Sequence, residues 1–102
     1  MDERMTVGIC LTKSDEADAA IAHLLDRSPE IRVEDHVTYF RVETERDIRI
    51  DLSEVAAYLG RDLSMPSFLG TLSAYFGQID VDDSVLVVSP VSLNGRGDGS
   101  SR

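Results

Sequence analysis

The chain has 102 residues, enough for one hydrophobic core and too few for a second. Nineteen acidic against ten basic residues give a formal charge of −9, which disfavours a phosphate backbone or an anionic membrane surface as partner. The single cysteine, Cys10, excludes an intrachain disulfide, and no apolar run approaches the roughly 18 residues of a membrane span, so a cytoplasmic protein that binds neither nucleic acid nor membrane is expected.

Residues 7–12, VGICLT, are mostly apolar without alternation and predict a strand covered on both faces, with Cys10 as a small buried hydrophobe. Ser14 follows as an N-cap, with Asp15 and Glu16 where carboxylates oppose the helix dipole. Apolar residues at 17, 20, 21, 24 and 25 then make a helical stripe, closed by Arg27, Ser28 and Pro29. His23 flanks that stripe and is expected on the solvent side.

From Ile31 the period changes to two, and 31–33 and 37–44 predict a hairpin with Glu34, Asp35 and His36 at its turn. A further alternation, Ile48, Ile50, Leu52, leads into Ser53, expected to cap a short helix over 54–59 that Gly60 ends. Pro66 suits the first turn of a second short helix, where Phe68, Leu69 and Leu72 form a stripe. Residues 73–81, with Gly77 entering a strand, the turn 82–84 and the strand 85–88 predict a second hairpin, and Phe68 and Phe76 are expected in the core. The domain is expected to span 7–90, between a short tail at 1–6 and a disordered Gly/Ser-rich tail at 91–102. The expected class is α+β: strand, helix, hairpin, then strand, two short helices, hairpin, a loose duplication with some ferredoxin-like, split β-α-β character.

Little in the chain can do chemistry. His23 and His36 lie on separate elements, and Cys-x-x-Cys and Glu-x-x-His spacings are absent from the sequence, so no metal site is expected. No Gly-x-Ser-x-Gly elbow or phosphate-cradling loop occurs, and acid pairs such as Glu34-Asp35 and Asp82-Asp83 read as solvated turns. Such a chain acts by contact.

Lys13-Ser14-Asp15-Glu16, Val33-Glu34-Asp35 before an aromatic strand, Ile50-Asp51, Leu59-Gly60-Arg61 and the later Gly77, at these distances, resemble the small regulatory components of soluble diiron monooxygenases. These are the cofactorless effector or coupling proteins of methane, phenol, toluene, alkene and propane monooxygenases. The resemblance implies a non-catalytic subunit without cofactors. Its partner would be a hydroxylase carrying the diiron centre, accompanied by a reductase with FAD and an iron–sulfur cluster. By the same resemblance, Thr71, Ser73, Ala74 and Tyr75 fall where the methane effector meets its hydroxylase; Ser73 keeps the small hydroxyl type, but Thr71, Ala74 and the bulkier Tyr75 depart from the methane effector's residues, which implies a substrate other than methane. The competing readings are a free-standing small-molecule sensor, which would need a concave apolar pocket, and a small isomerase, which would need a buried carboxylate base.

Overall fold

The computed structural model describes residues 6–91. In chain order it has β1 (Val7–Thr12), α1 (Asp15–Arg27), β2 (Arg32–Asp35), β3 (Tyr39–Thr44), β4 (Ile48–Asp51), α2 (Leu52–Leu59), α3 (Met65–Leu69), β5 (Leu72–Phe76), β6 (Gln78–Val81) and β7 (Val85–Ser89). The tails expected at 1–6 and 91–102 lie, but for Thr6 and Val91, outside the described residues.

The strands form two antiparallel sheets, one ordered β2-β3-β1-β5 and the other β4-β7-β6. Because β3 is antiparallel to both β1 and β2, those two run parallel with β3 between them. That is the split β-α-β unit expected from the sequence, with α1 as its crossover. The first hairpin forms as expected, except that Glu34 and Asp35 belong to β2, opposite Arg41 and Phe40, and the turn falls at 36–38, closed by the His36 N–H donating to the Tyr39 carbonyl at 2.9 Å. The second does not: β6 pairs with β7, but residues 72–76 form a separate strand that joins β1 in the other sheet.

Gly77 is the reason. Its φ of +123° is closed to L side chains, and its backbone passes so near β7 that an added Cβ would stand 2.7 Å from the Ser89 carbonyl oxygen. The chain therefore leaves one sheet and enters the other across a single residue.

Val7, Ile9 and Leu11 of β1, Val42 of β3, Ile48 and Ile50 of β4, Leu86 and Val88 of β7, and Phe68 of α3 make the core. The other face of β1 is closed differently. Gly8 lies under the Phe76 ring, and Cys10 stands opposite Arg41 and Ala74, so side chains from the flanking strands cover it.

Ser14 caps α1 as expected, its Oγ accepting from the Ala17 N–H at 3.0 Å. The buried arc of α1 is rotated from the predicted stripe, however: Ala17, Ala19, Ala20, His23 and Leu24 are buried while Leu25 is exposed. The helix packs against α2 as well as the sheets, and small Ala19 allows that second contact. Asp51, rather than Ser53, caps α2; its carboxylate accepts from both the Ser53 N–H (3.0 Å) and the Ser53 hydroxyl (2.7 Å). Strand β4 thus runs straight into the helix, and Leu52 continues the buried alternation from the first turn. Gly60 ends α2 at φ +84°, as its position predicts.

His23 overturns its expected exposure. It is 1% exposed, wedged between α1, β4 and α2, where Nε2 accepts from the Asp51 N–H at 3.2 Å and Nδ1 lies 3.3 Å from Glu54 Oε1 without hydrogen-bond geometry. An acceptor at Nε2 requires the neutral ring with its proton on Nδ1. Burial, the largest cause, lowers the His23 pKa; Arg27 adds to this, while Glu54, Asp51 and Asp26 oppose it. The unfolded chain takes up this proton near pH 6.5, the fold only at lower pH, so the unfolded state binds more protons between the two. Stability from His23 is therefore complete above about pH 6.5 and is lost as pH falls through the folded-state value. Urea midpoints measured between about pH 4.5 and 6.5, above the carboxylate range, should fall with acidification in the natural chain and stay flatter in His23→Gln.

Candidate protein interaction surface

Four strands lie at sheet edges: β2, β5, β4 and β6. Exposed edges carry unpaired backbone groups, and charged side chains commonly guard them. Strand β2 has Arg32, Glu34 and Asp35, β4 has Arg49 and Asp51, and β6 has Asp80, but β5, LSAYF, has no charge at all. Its residues from Ser73 to Phe76 are exposed.

The position of β5 is fixed at both ends. At its start, Ser64 caps α3, Phe68 is fully buried, the Thr71 N–H donates to the Phe68 carbonyl at 2.8 Å, and the Thr71 carbonyl accepts from Thr12 N–H at 2.8 Å. At its end stands Gly77. Between them a bulge intervenes: Leu72 is opposite Leu11 and Ala74 opposite Cys10, leaving Ser73 out of register with its hydroxyl donating to the Cys10 carbonyl at 3.1 Å.

The residues singled out in the sequence thus part company. Thr71 is only 7% exposed and acts as a latch between α3 and β1, whereas Ser73, Ala74 and Tyr75 sit together on the open edge, Tyr75 45% exposed. Phe76 corrects a core expectation, being 42% exposed. Sequence spacing could not show this, because the bulge and the turn at Gly77 decide which face each aromatic ring takes.

Beside β5, the outer face of the four-stranded sheet is polar and ordered. Arg32, Glu43, Gly8 and Phe76 form one row across β2, β3, β1 and β5, and Glu34, Arg41, Cys10 and Ala74 form the next. Glu43 accepts from Arg32 at 2.9 Å and from Arg41 Nε at 2.6 Å. These two guanidiniums hold its carboxyl below the usual carboxylate range, and Glu43 in turn raises the Arg41 pKa. The Arg41 guanidinium lies 4.6 Å from the Phe76 ring centroid.

On the opposite side, ion pairs tie the helices together. Arg27 reaches both Glu54 oxygens at 3.1 Å, and Arg61 binds Glu16 at 3.0 Å. The Glu16 carboxyl is lowered first by a hydrogen bond with backbone N–H at the start of α1 and then by Arg61. Lys13 pairs with Asp35 and lies over the Phe40 ring. Leu59-Gly60-Arg61 and Lys13 to Glu16, both among the residues that carry the family resemblance, are therefore scaffold.

A hollow of about 340 Å³ between α1 and α2 is lined by Asp15, Asp18, Ala19, Ala22, Tyr58, Leu59 and Arg61, an open and mainly polar surface unlike an apolar ligand pocket. Among the described residues no group of three or more His, Cys, Asp or Glu side chains is placed to hold a metal ion. No described helix is long and apolar enough to cross a membrane.

The described residues thus form a small α+β fold with a split β-α-β sheet, an uncharged edge strand and a polar outer face beside it. The MmoB/DmpM family profile matches residues 5–89, and the chain belongs to that family. It is 30% identical over 86 residues to the alkene monooxygenase effector subunit of Xanthobacter autotrophicus, covering 82% of this chain and 84% of that one. It is likewise 30% identical over 82 residues to methane monooxygenase regulatory protein B of Methylococcus capsulatus, covering 74% of this chain and 58% of that longer protein. The fold superposes on a solved phenol hydroxylase–regulatory protein complex with a TM-score of 0.73 at 19% identity, covering 82% of this chain and 97% of that one. On the solved soluble methane monooxygenase regulatory protein B it scores 0.67 at 25% identity, covering 92% and 71%. The chain is thus a regulatory or effector subunit of the multicomponent monooxygenase type, not a catalytic component.

Proposed function

We propose that this protein binds the diiron hydroxylase of a bacterial multicomponent monooxygenase through the β5 edge, with Ser73, Ala74 and Tyr75 in the contact. Bound there, it adjusts access of substrate and O₂ to the buried iron pair and couples NADH oxidation to hydroxylation or epoxidation of a hydrocarbon. The iron, the FAD and the iron–sulfur cluster reside in the hydroxylase and reductase, and this subunit works in the cytoplasm without a cofactor.

The observation that carries the reading is the edge itself. Of the four edge strands only β5 lacks charge, and it presents a small hydroxyl, a methyl and a tyrosine ring on a strand anchored at both ends. Small side chains let another backbone approach closely, and a rigid edge limits the ordering entropy lost on docking. Thr71, being buried, supports that edge from behind.

The test is NADH-dependent oxidation of small alkanes, alkenes and aromatics by the hydroxylase and reductase of the same operon, with this protein titrated from zero to excess. Product per NADH should rise to a maximum near one equivalent per hydroxylase active site. Turnover indifferent to the protein would sink the proposal.

A further inference from the structure

We infer that the Phe76–Arg41 stack on the outer face of the four-stranded sheet is a second anchor for the same hydroxylase, the phenyl ring entering an apolar recess whose rim offers an oxygen acceptor to Arg41. The inference rests on the docking role proposed for β5 and extends it from the edge onto the adjoining face.

Three features single out this stack. The first is its seat. Gly8 presents bare backbone beneath the ring, and a Cβ there would stand 2.9 Å from Phe76 Cδ2. The absence of a side chain at Gly8 lets the ring approach the sheet, with the Arg41 guanidinium 4.6 Å from its centroid, while Phe76 stays 42% exposed and free to meet a partner.

The second is the rigidity of that guanidinium. Arg41 Nε and Nη2 both lie 2.6 Å from Glu43 Oε2, and Glu43 is held from its other side by Arg32, so the stack ends a chain of fixed side chains spanning β2, β3, β1 and β5. The close contacts of Arg41 use Nε and Nη2, and the cross-strand Glu34 adds a longer-range attraction, so Nη1 can still donate to a partner. Arginine is enriched among the residues that dominate interfaces, and a ring and a guanidinium already in place have little rotamer freedom left to lose on binding.

The third is continuity. Phe76 follows Ser73, Ala74 and Tyr75 on the same strand, and Ala74 shares a row with Arg41, so a hydroxylase surface lying along the edge also meets the stack. Glu43 and Arg32 continue the ring's own row and Arg41 and Glu34 stand in the next, so polar groups border the ring on its sheet side.

The experiment measures binding to the hydroxylase of the same operon for the natural chain, Phe76→Ala, Phe76→Leu, Arg41→Ala, Gly8→Ala and the control Val81→Ser. Val81 is as exposed as Phe76, at 44%, but lies in the other sheet. Phe76→Ala should raise Kd about tenfold or more and Arg41→Ala about threefold to tenfold, while the double variant should be little worse than Phe76→Ala alone because the two act as one unit. Gly8→Ala, which lifts the ring without removing it, should fall between, and Val81→Ser should match the natural chain. Circular dichroism and thermal melts check folding; should Phe76→Ala fold poorly, Phe76→Leu keeps apolar bulk and should still weaken binding about threefold or more. If the Phe76 and Arg41 variants bind within about twofold of the natural chain while a lysine substituted for Ala74 weakens binding, the stack is not an anchor and the β5 reading stands. If the natural chain neither binds nor alters turnover, the inference and the reading fall together.

Discussion

Gly77→Ala is expected to destabilise the fold by about 3 kcal/mol or more and to lower the melting temperature by more than about 10 °C. Two costs combine there. A φ of +123° is strained for any residue with a Cβ, about 1–3 kcal/mol, and the new methyl would meet the Ser89 carbonyl oxygen at 2.7 Å, Val7 Cγ1 at 3.0 Å and Val88 Cγ1 at 3.2 Å. Backbone cannot yield cheaply where β1 and β7 are both core strands. Gly60→Ala is the internal comparison, because its φ is +84° but nothing lies within 4 Å of the added Cβ. That variant should lose only about 1–2 kcal/mol. Urea titrations of the two variants measure the difference, and equal losses would show that steric crowding between the sheets does not hold the strand switch in place.

Placing a charge on the unguarded edge should have the largest effect on function. Ala74→Lys is expected to raise the amount of protein needed for half-maximal hydroxylase stimulation about tenfold or more, while changing stability by no more than about 0.5 kcal/mol. Ala74 is exposed, opposite Cys10 and in the row of Arg41, so a lysine there reaches solvent from an edge strand without entering the core. Native sheets use this substitution to keep edges from pairing. An ammonium brought into the contact must also be desolvated beside the Arg41 guanidinium, which a neutral methyl avoids. Stimulation curves and melting temperatures of the two proteins, measured in parallel, separate docking from folding. Unchanged stimulation by a well-folded Ala74→Lys would move the contact away from β5.

Local rules were legible wherever neighbouring residues decide the outcome. Ser14 caps α1, Gly60 closes α2 and Pro66 sits in the first turn of α3, because capping and φ preference depend on a few consecutive residues. The cap of α2 shows the limit of such rules: Asp51 and Ser53 are both good caps, and burial of Leu52 selects the earlier start. His23 reads as solvated beside an apolar stripe, but the approach of α2 to α1 buries it and supplies the Asp51 N–H that keeps it neutral. The candidate site divided in the same way. Ser73, Ala74 and Tyr75 came from resemblance and do lie together at the edge, whereas the burial of Thr71 and the exposure of Phe76 follow from a one-residue bulge opposite Cys10 and Leu11.

By itself the sequence determined the α+β class, the first helix and hairpin, the split β-α-β order and the lack of residue patterns for chemistry, since each rests on periodicity, capping or residue type within one segment. Only the tertiary structure decided that residues 72–76 leave the second hairpin for the edge of the first sheet, and that Phe76 therefore lies on Gly8 under Arg41. Those placements depend on contacts among residues 8, 41, 77 and 89, far apart in the chain, and backbone crowding at Gly77 with ring seating on Gly8 acts only once the strands have met.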